Sequence, residues 1–301
     1  MLLDTQVRER SDGTNYTHHD QLFKRLIHTF FEEFIEVFFP DVHAHIKYQD
    51  IKPLSEEVFT DLHDGFSKRL DIVIEAKYKE TDALIIIHIE PQSYHQKIFP
   101  EKMYHYFNLL YNRYRVPIIP IAVFSYNEKR IESNQFKIDF PFITPITFNF
   151  LKLELNRLNW RDYLIADNPA ALALLSNMDY TKKERVKVKI EFLRLFANLN
   201  VDSSRQRLIY GFFERYLKLN DEEEERLMGE IDKLDLVEKD KIMELPISYE
   251  EKGKEIGRKE GLKKGRMEVA KEMLNEGLSI DLITRVTHLS KDEVLKLRDE
   301  R

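Results

Sequence analysis

Around Ile72 the chain alternates with period two. Leu70, Ile72, Ile74 and Ala76 fall on one face, and Asp71, Val73, Glu75 and Lys77 on the other. Ala83, Ile85, Ile87 and Ile89 repeat the arrangement against Leu84, Ile86, His88, Glu90 and Gln92. The polar stretch 79–82 between them predicts a hairpin. A turn centred on Glu80 and Thr81 sets Asp71 opposite Glu90 and Arg69 opposite Gln92. Before the hairpin, the stripe Phe23, Ile27, Phe30, Phe31, Phe34 and Phe38 predicts a helix from an Asp20 N-cap to Phe39, stopped by Pro40. A first strand follows between Ala44 and Ile51, then an extended stretch over 54–61. After the hairpin, 96–115 reads as an aromatic helix and 116–125 as a strand buried on both faces.

Residues 138–150 read as extended structure at the edge of this core, and from Leu151 the pattern turns helical. Helical spacing covers 161–177, 182–199 and 203–219, and the acidic run Asp221–Glu225 opens another helix with a solvated first turn. In the tail, Gly253, Gly257, Gly261 and Gly265 recur among lysines, arginines and glutamates. Each costs about 1 kcal/mol in a helix relative to alanine, which argues for a marginal helix or a connector. Beyond it, two short helices are expected, one capped by Ser279 and one opened by a Ser290–Glu293 capping box. Leu282, Ile283, Val286, Leu289, Val294 and Leu297 would pack them together like half of a helix-turn-helix unit. The expected divisions are a domain over 1–150, a helical region over 151–250, a basic glycine-rich helical connector over 251–276 and a helical hairpin over 277–301.

Charged residues make up 33% of the chain and the net charge is −6, so any nucleic-acid surface must be a local patch. The absence of cysteine excludes disulfides, thiolate nucleophiles and cysteine-zinc clusters. No apolar run is long enough to span a bilayer and the first residues lack a signal-like apolar core, so a soluble cytoplasmic protein without membrane contact is expected.

The candidate chemistry lies on the hairpin. Directly opposed residues of an antiparallel pair have Cβ atoms roughly 4.5–5.5 Å apart, close enough for the carboxylates of Asp71 and Glu90 to share a divalent ion. Like charges in that arrangement are unfavourable unless a cation intervenes. Glu75-Ala76-Lys77 also spells E-x-K, but Glu75 stands four residues along the strand from Asp71, about 13 Å away, so the geometry favours Glu90-Pro91-Gln92.

These residues resemble the PD-(D/E)XK nuclease superfamily, and more narrowly the recombination-promoting nucleases, also called YhgA-like transposases. The resemblance is carried by His19-Asp20-Gln21-Leu22-Phe23-Lys24, Arg69-Leu70-Asp71 and Glu90-Pro91-Gln92-Ser93, in that order over the first half of the chain. It implies a restriction-endonuclease-like α-β-β-β-α-β core within an α/β fold, followed by an all-helical C-terminal region. It also implies a Mg²⁺-dependent DNA endonuclease that promotes recombination or mobile-element movement. Asp71, Glu90 and the Pro91 carbonyl would hold the metal. Gln92 stands where the superfamily has lysine and orients water without supplying charge. Lys24 or Arg69 is the expected substitute cation, and Asp20 is placed beside the site. His88 shares the face of Glu90, as a phosphate contact or as a satisfied core histidine. Tyr104, His105 and Tyr106 read mostly as core. Two readings compete with the enzyme: a catalytically inactive nuclease-fold DNA-binding or regulatory protein, and an interaction module that forms a homo-oligomer through its C-terminal helices.

Overall fold

The computed structural model describes residues 13–54, 58–60, 67–69, 72–126, 128, 130–165, 167–245, 261 and 264–299. They form two compact units, divided between Ile242 and Met243. The phenylalanine stripe is divided between two helices, α1 (Gly13–Thr29) and α2 (Phe31–Phe38), and a third, α3 (Pro40–Ala44), follows. Pro40 therefore opens a helix at its first position, where a missing N–H costs nothing, instead of ending one. Asp20 lies inside α1, which starts seven residues earlier, and so is not an N-cap.

The strands follow in chain order: β1 (Ile46–Pro53), β2 (Val58–Thr60), β3 (Ser67–Arg69), β4 (Ile72–Tyr78) and β5 (Leu84–Gln92). After them come α4 (Phe99–Tyr114) and β6 (Ile118–Phe124), the hairpin of β7 (Gln135–Phe140) with β8 (Ile143–Asn149), and β9 (Leu151–Glu154). The main sheet has the order β1-β4-β5-β6-β9. Its first two pairings are antiparallel and its last two parallel. Between α2 and β6 the main sheet thus runs through three strands, a helix and a strand, within a mixed α/β architecture.

The β4–β5 register is the expected one, from Ile72↔Ile89 to Lys77↔Leu84. Asp71 lies outside the described residues. Arg69 does not extend β4: it pairs with Val58 in the separate β2–β3 ribbon. The face of β5 bearing Ile86 and His88 is covered by α4, through Tyr106 and Leu110. On the opposite face Ile85, Ile87 and Ile89 are buried, as are Ile72, Ile74 and Ala76 of β4. Of the aromatics in 138–150, Phe140 lies on β7 and Phe148 on β8, while Phe142 is in the turn between them and Phe150 follows β8. Phe148, with Phe136 of β7, packs on Tyr104 of α4.

Helical structure starts later than the pattern predicts. Leu151–Glu154 is a strand, its alternation of Leu151 and Leu153 with the paired Lys152 and Glu154 being a period-two signal only four residues long. Within 161–177 the α-helix is α5 (Pro169–Leu174). Asp167 takes a positive φ of 67° and Pro169 disfavours helical backbone at Asn168, so no helix continues through them. Then follow α6 (Arg185–Phe196), α7 (Ser203–Tyr216), α8 (Asp221–Ile231) and α9 (Leu236–Met243). The acidic first turn of α8 is closed by a capping box between Asn220 and Glu223.

In the C-terminal unit a helix over 264–275 (α10) precedes α11 (Ile280–Thr287) and α12 (Lys291–Asp299). Ala270 of α10 shares a core with Ile283, Leu289, Val294 and Leu297. The expected connector thus contributes a third helix to the expected hairpin. Gly277, at φ 73°, supplies the left-handed turn after α10, and His288, at φ 56°, ends α11. The Ser290–Glu293 box forms as expected. Ser279 sits at the N-cap of α11 but makes no side-chain capping bond. Val286 is exposed, and Thr287 takes the buried position by donating its hydroxyl to the Ile283 carbonyl at 2.7 Å.

Candidate active site

β5 is the middle strand of the main sheet, flanked by β4 up to Ile89 and by β6 up to Gln92, with α4 over the face that carries His88. Glu90 is consequently 2% exposed. A carboxylate so buried needs a counter-charge, and α4 supplies it: Lys102 Nζ lies 2.6 Å from Glu90 Oε1. Lys102 also lies over the rings of Phe99 and Tyr106, 5.7 and 5.4 Å from their centroids. Burial alone would push the Glu90 carboxyl up, but the Lys102 ammonium, with His88, holds it well below the ordinary carboxylate range. Glu90 is therefore an ionised acceptor inside the protein.

The second oxygen is different. Glu90 Oε2 is buried with no hydrogen-bond partner, and so are both ring nitrogens of His88. His88 Nε2 approaches Oε2 to 3.5 Å without bonding it. Fully buried, His88 is neither an exposed phosphate contact nor a satisfied core histidine. Buried polar atoms are nearly always paired, and three orphans together on one strand face mark this spot as chemically unfinished.

Backbone polarity adds an oxygen. Along β5 the peptide groups of alternate residues point to opposite neighbours. Ile86 N–H donates to the Pro117 carbonyl on the β6 side, and the Gln92 carbonyl accepts from Ser125 N–H on that same side. The Pro91 carbonyl therefore points towards β4, beyond the last described pair, Ile72↔Ile89. Pro91, which has no N–H, stands beyond the last described β4–β5 pair, so no described ladder bond calls for a donor there.

Gln92 is also buried, and its amide N–H donates to the Tyr94 carbonyl at 2.7 Å. That bond fixes the turn leaving β5. Lys24 is half-buried on α1 beside Phe23, which packs on Phe212 and Tyr216. The cation against Glu90 is Lys102, which sequence reasoning missed because the residue is contributed by the next helix, twelve positions away, with no motif spacing to announce it. Tyr106 belongs to the core as expected, Tyr104 is partly buried, and His105 is exposed. Asp71 lies outside the described residues, as do the side chains of Asp20 and Arg69. Among the described residues no cluster of three or more His, Asp or Glu could hold a metal ion.

A second polar cluster braces the loops at this end of the sheet. Glu132, almost buried, accepts from His95 at 2.9 Å and from the Tyr126 hydroxyl. Burial and Glu132 push the Tyr126 phenol far up. Lys152 donates to the Glu132 carbonyl at 2.6 Å, and Glu132 N–H donates to Glu154 at 2.9 Å. Asn156 ties the loop after β6 through the carbonyls of Tyr126 and Glu128. These residues come from three separate segments, around His95, over 126–132 and over 152–156, so no local pattern could have grouped them.

No described helix is long and apolar enough to cross a membrane. Comparisons with curated proteins and with solved structures gave no match. A family model does match: residues 263–299 fit the C-terminal HTH domain of the Rpn/YhgA-like nuclease family, a segment that takes in α10, α11 and α12. This match supports the family resemblance carried by the N-terminal motifs.

Proposed function

We propose that the chain is a metal-dependent DNA endonuclease of PD-(D/E)XK type that hydrolyses phosphodiesters in recombination or mobile-element movement. The observation that carries the reading is Glu90, a carboxylate kept ionised in the interior by Lys102 and His88, with one oxygen left without a hydrogen bond. Such a carboxylate oxygen and a nearby outward carbonyl suit a hard cation that takes oxygen ligands, as Mg²⁺ does. Asp71, Glu90 and the Pro91 carbonyl would hold it. When bound, Mg²⁺ activates water and neutralises charge building on the phosphate oxygens. Lys102 takes the electrostatic part for which Lys24 and Arg69 are the sequence candidates. It keeps Glu90 ionised at the pH of reaction and places a positive charge in a motif that has Gln92 where lysine is usual. Gln92 holds the end of β5 through Tyr94, and Asp20 and Lys24 stand on α1 as further candidates. The helix-turn-helix match supports DNA as the partner.

The test is cleavage of supercoiled plasmid with Mg²⁺ by wild type and Asp71→Ala, with a chelator control. Cutting by wild type alone, abolished by chelation, is the expected result. Equal cutting by Asp71→Ala would remove the hairpin from the chemistry. DNA binding without cutting by any form would favour the second reading, an inactive nuclease fold that binds DNA, which the Gln92–Tyr94 bond and the Lys102 pairing of Glu90 also accommodate.

A further inference from the structure

Away from the main sheet, an open groove of about 670 Å³ lies between α6 and α8. Five cations and two carboxylates line it, in a chain whose net charge is −6. Two of the cations are engaged: Arg194 with Glu191 and Glu238, and Lys233 with Glu230. The other three, Lys183, Lys187 and Arg226, are exposed and form no ion pair within 4 Å among the described residues, Arg226 acting on Glu223 only at longer range. The floor between them is apolar, from Val186, Ile190 and Leu234. One wall is bare: Gly229 sits inside α8, where glycine is the poorest ordinary helix former. A Cβ there would meet nothing within 4 Å, so no close packing calls for the glycine. Its effect is to leave the groove open.

We propose that this groove binds the phosphodiester backbone of DNA, resting on the nuclease reading above. Unpaired cations concentrated on an acidic chain attract a partner of high linear charge density. Duplex DNA carries one charge per about 1.7 Å of axis, far denser than an acidic protein segment. The apolar floor between the cations suits the C–H edges of the sugars.

The test is anisotropy of a labelled duplex titrated with the full chain, in chelator so that nothing is cut, from about 50 to about 200 mM salt. Lys183→Gln/Lys187→Gln/Arg226→Gln is compared with wild type and with Gly229→Glu, which sets a negative charge into open space and leaves every cation in place. Each phosphate contact contributes about 0.9 to the slope of log affinity against log salt. The triple variant is therefore expected to lose about 2 to 3 from that slope, and both variants at least about tenfold in affinity. An unchanged slope and affinity in the triple variant overturns the groove assignment and leaves the nuclease reading standing, since that reading is decided by Asp71-dependent cutting. Poly-glutamate that displaces the duplex at equal charge concentration also overturns it, in favour of an acidic protein partner. Failure of wild type to bind the duplex at all overturns both.

Discussion

Glu90 and Lys102 form a unit whose parts cannot be exchanged independently. A half-exposed lysine can be removed at little cost, but removing this one leaves a carboxylate buried in the central strand without its counter-charge. Breaking such a pair from one side costs about 3–5 kcal/mol. Lys102→Ala is expected to lower unfolding free energy by about 3 kcal/mol in a urea titration and to abolish plasmid cutting, while Lys102→Arg retains most of both. Unchanged stability in Lys102→Ala would mean that the pair does not hold Glu90 ionised. The pair also sets a pH dependence. Because the folded carboxyl titrates below its unfolded value, its contribution is fully present above about pH 4.5 and is lost as pH falls through the depressed folded value. Glu90→Gln should flatten that acid limb in melts recorded across pH. An acid limb identical to wild type would assign the sensitivity to another group.

Asn168 shows how one residue joins two elements. Its Oδ1 accepts from Ala171 N–H at 2.9 Å, capping α5, and its Nδ2 donates to the Glu33 carbonyl of α2 at 3.1 Å. It is also buried, so Asn168→Ala removes both the cap and the bond to α2. A loss of about 2 kcal/mol is expected, and Asn168→Asp, which keeps the acceptor but not the donor, should lose less in the same urea titration. A neutral Asn168→Ala would show that α5 is held by packing alone. This element also marks where the sequence stops being legible. The β4–β5 hairpin was readable because its alternation and turn are local, and so was the Ser290–Glu293 box. The broken stretch before α5 was not, because Leu, Ile and Ala between 161 and 177 carry helical spacing while Asp167 and Pro169 set the backbone. β9 was hidden by its brevity. Arg69 was misassigned because period two extends smoothly from β4 into residues that pair elsewhere. Half of the candidate site was legible, as Glu90 and Gln92 announce themselves on one strand. Lys102 and the Glu132 cluster depend on tertiary contact, which spacing does not encode.

The molecule combines a unit bearing the candidate site with a second, smaller unit that has its own core around Ala270, Ile283 and Val294. Its match to a helix-turn-helix domain supports DNA binding by this unit, in addition to the groove and the hydrolysis proposed for the larger one. Two binding surfaces on one chain raise affinity through effective concentration, with no new contact at the reacting bond. A chain ending at Leu245 should then bind duplex at least about tenfold more weakly at physiological salt. Its cutting rate at saturating DNA should stay near that of the full chain, since lost uniform binding raises KM and spares kcat. Single-turnover cutting over a range of DNA concentrations separates the two effects. A fall in the saturated rate with affinity unchanged would place the C-terminal helices in support of the catalytic unit. Their role in holding DNA would then have to be given up, because a binding module removed from the chain must show its loss in affinity before anything else.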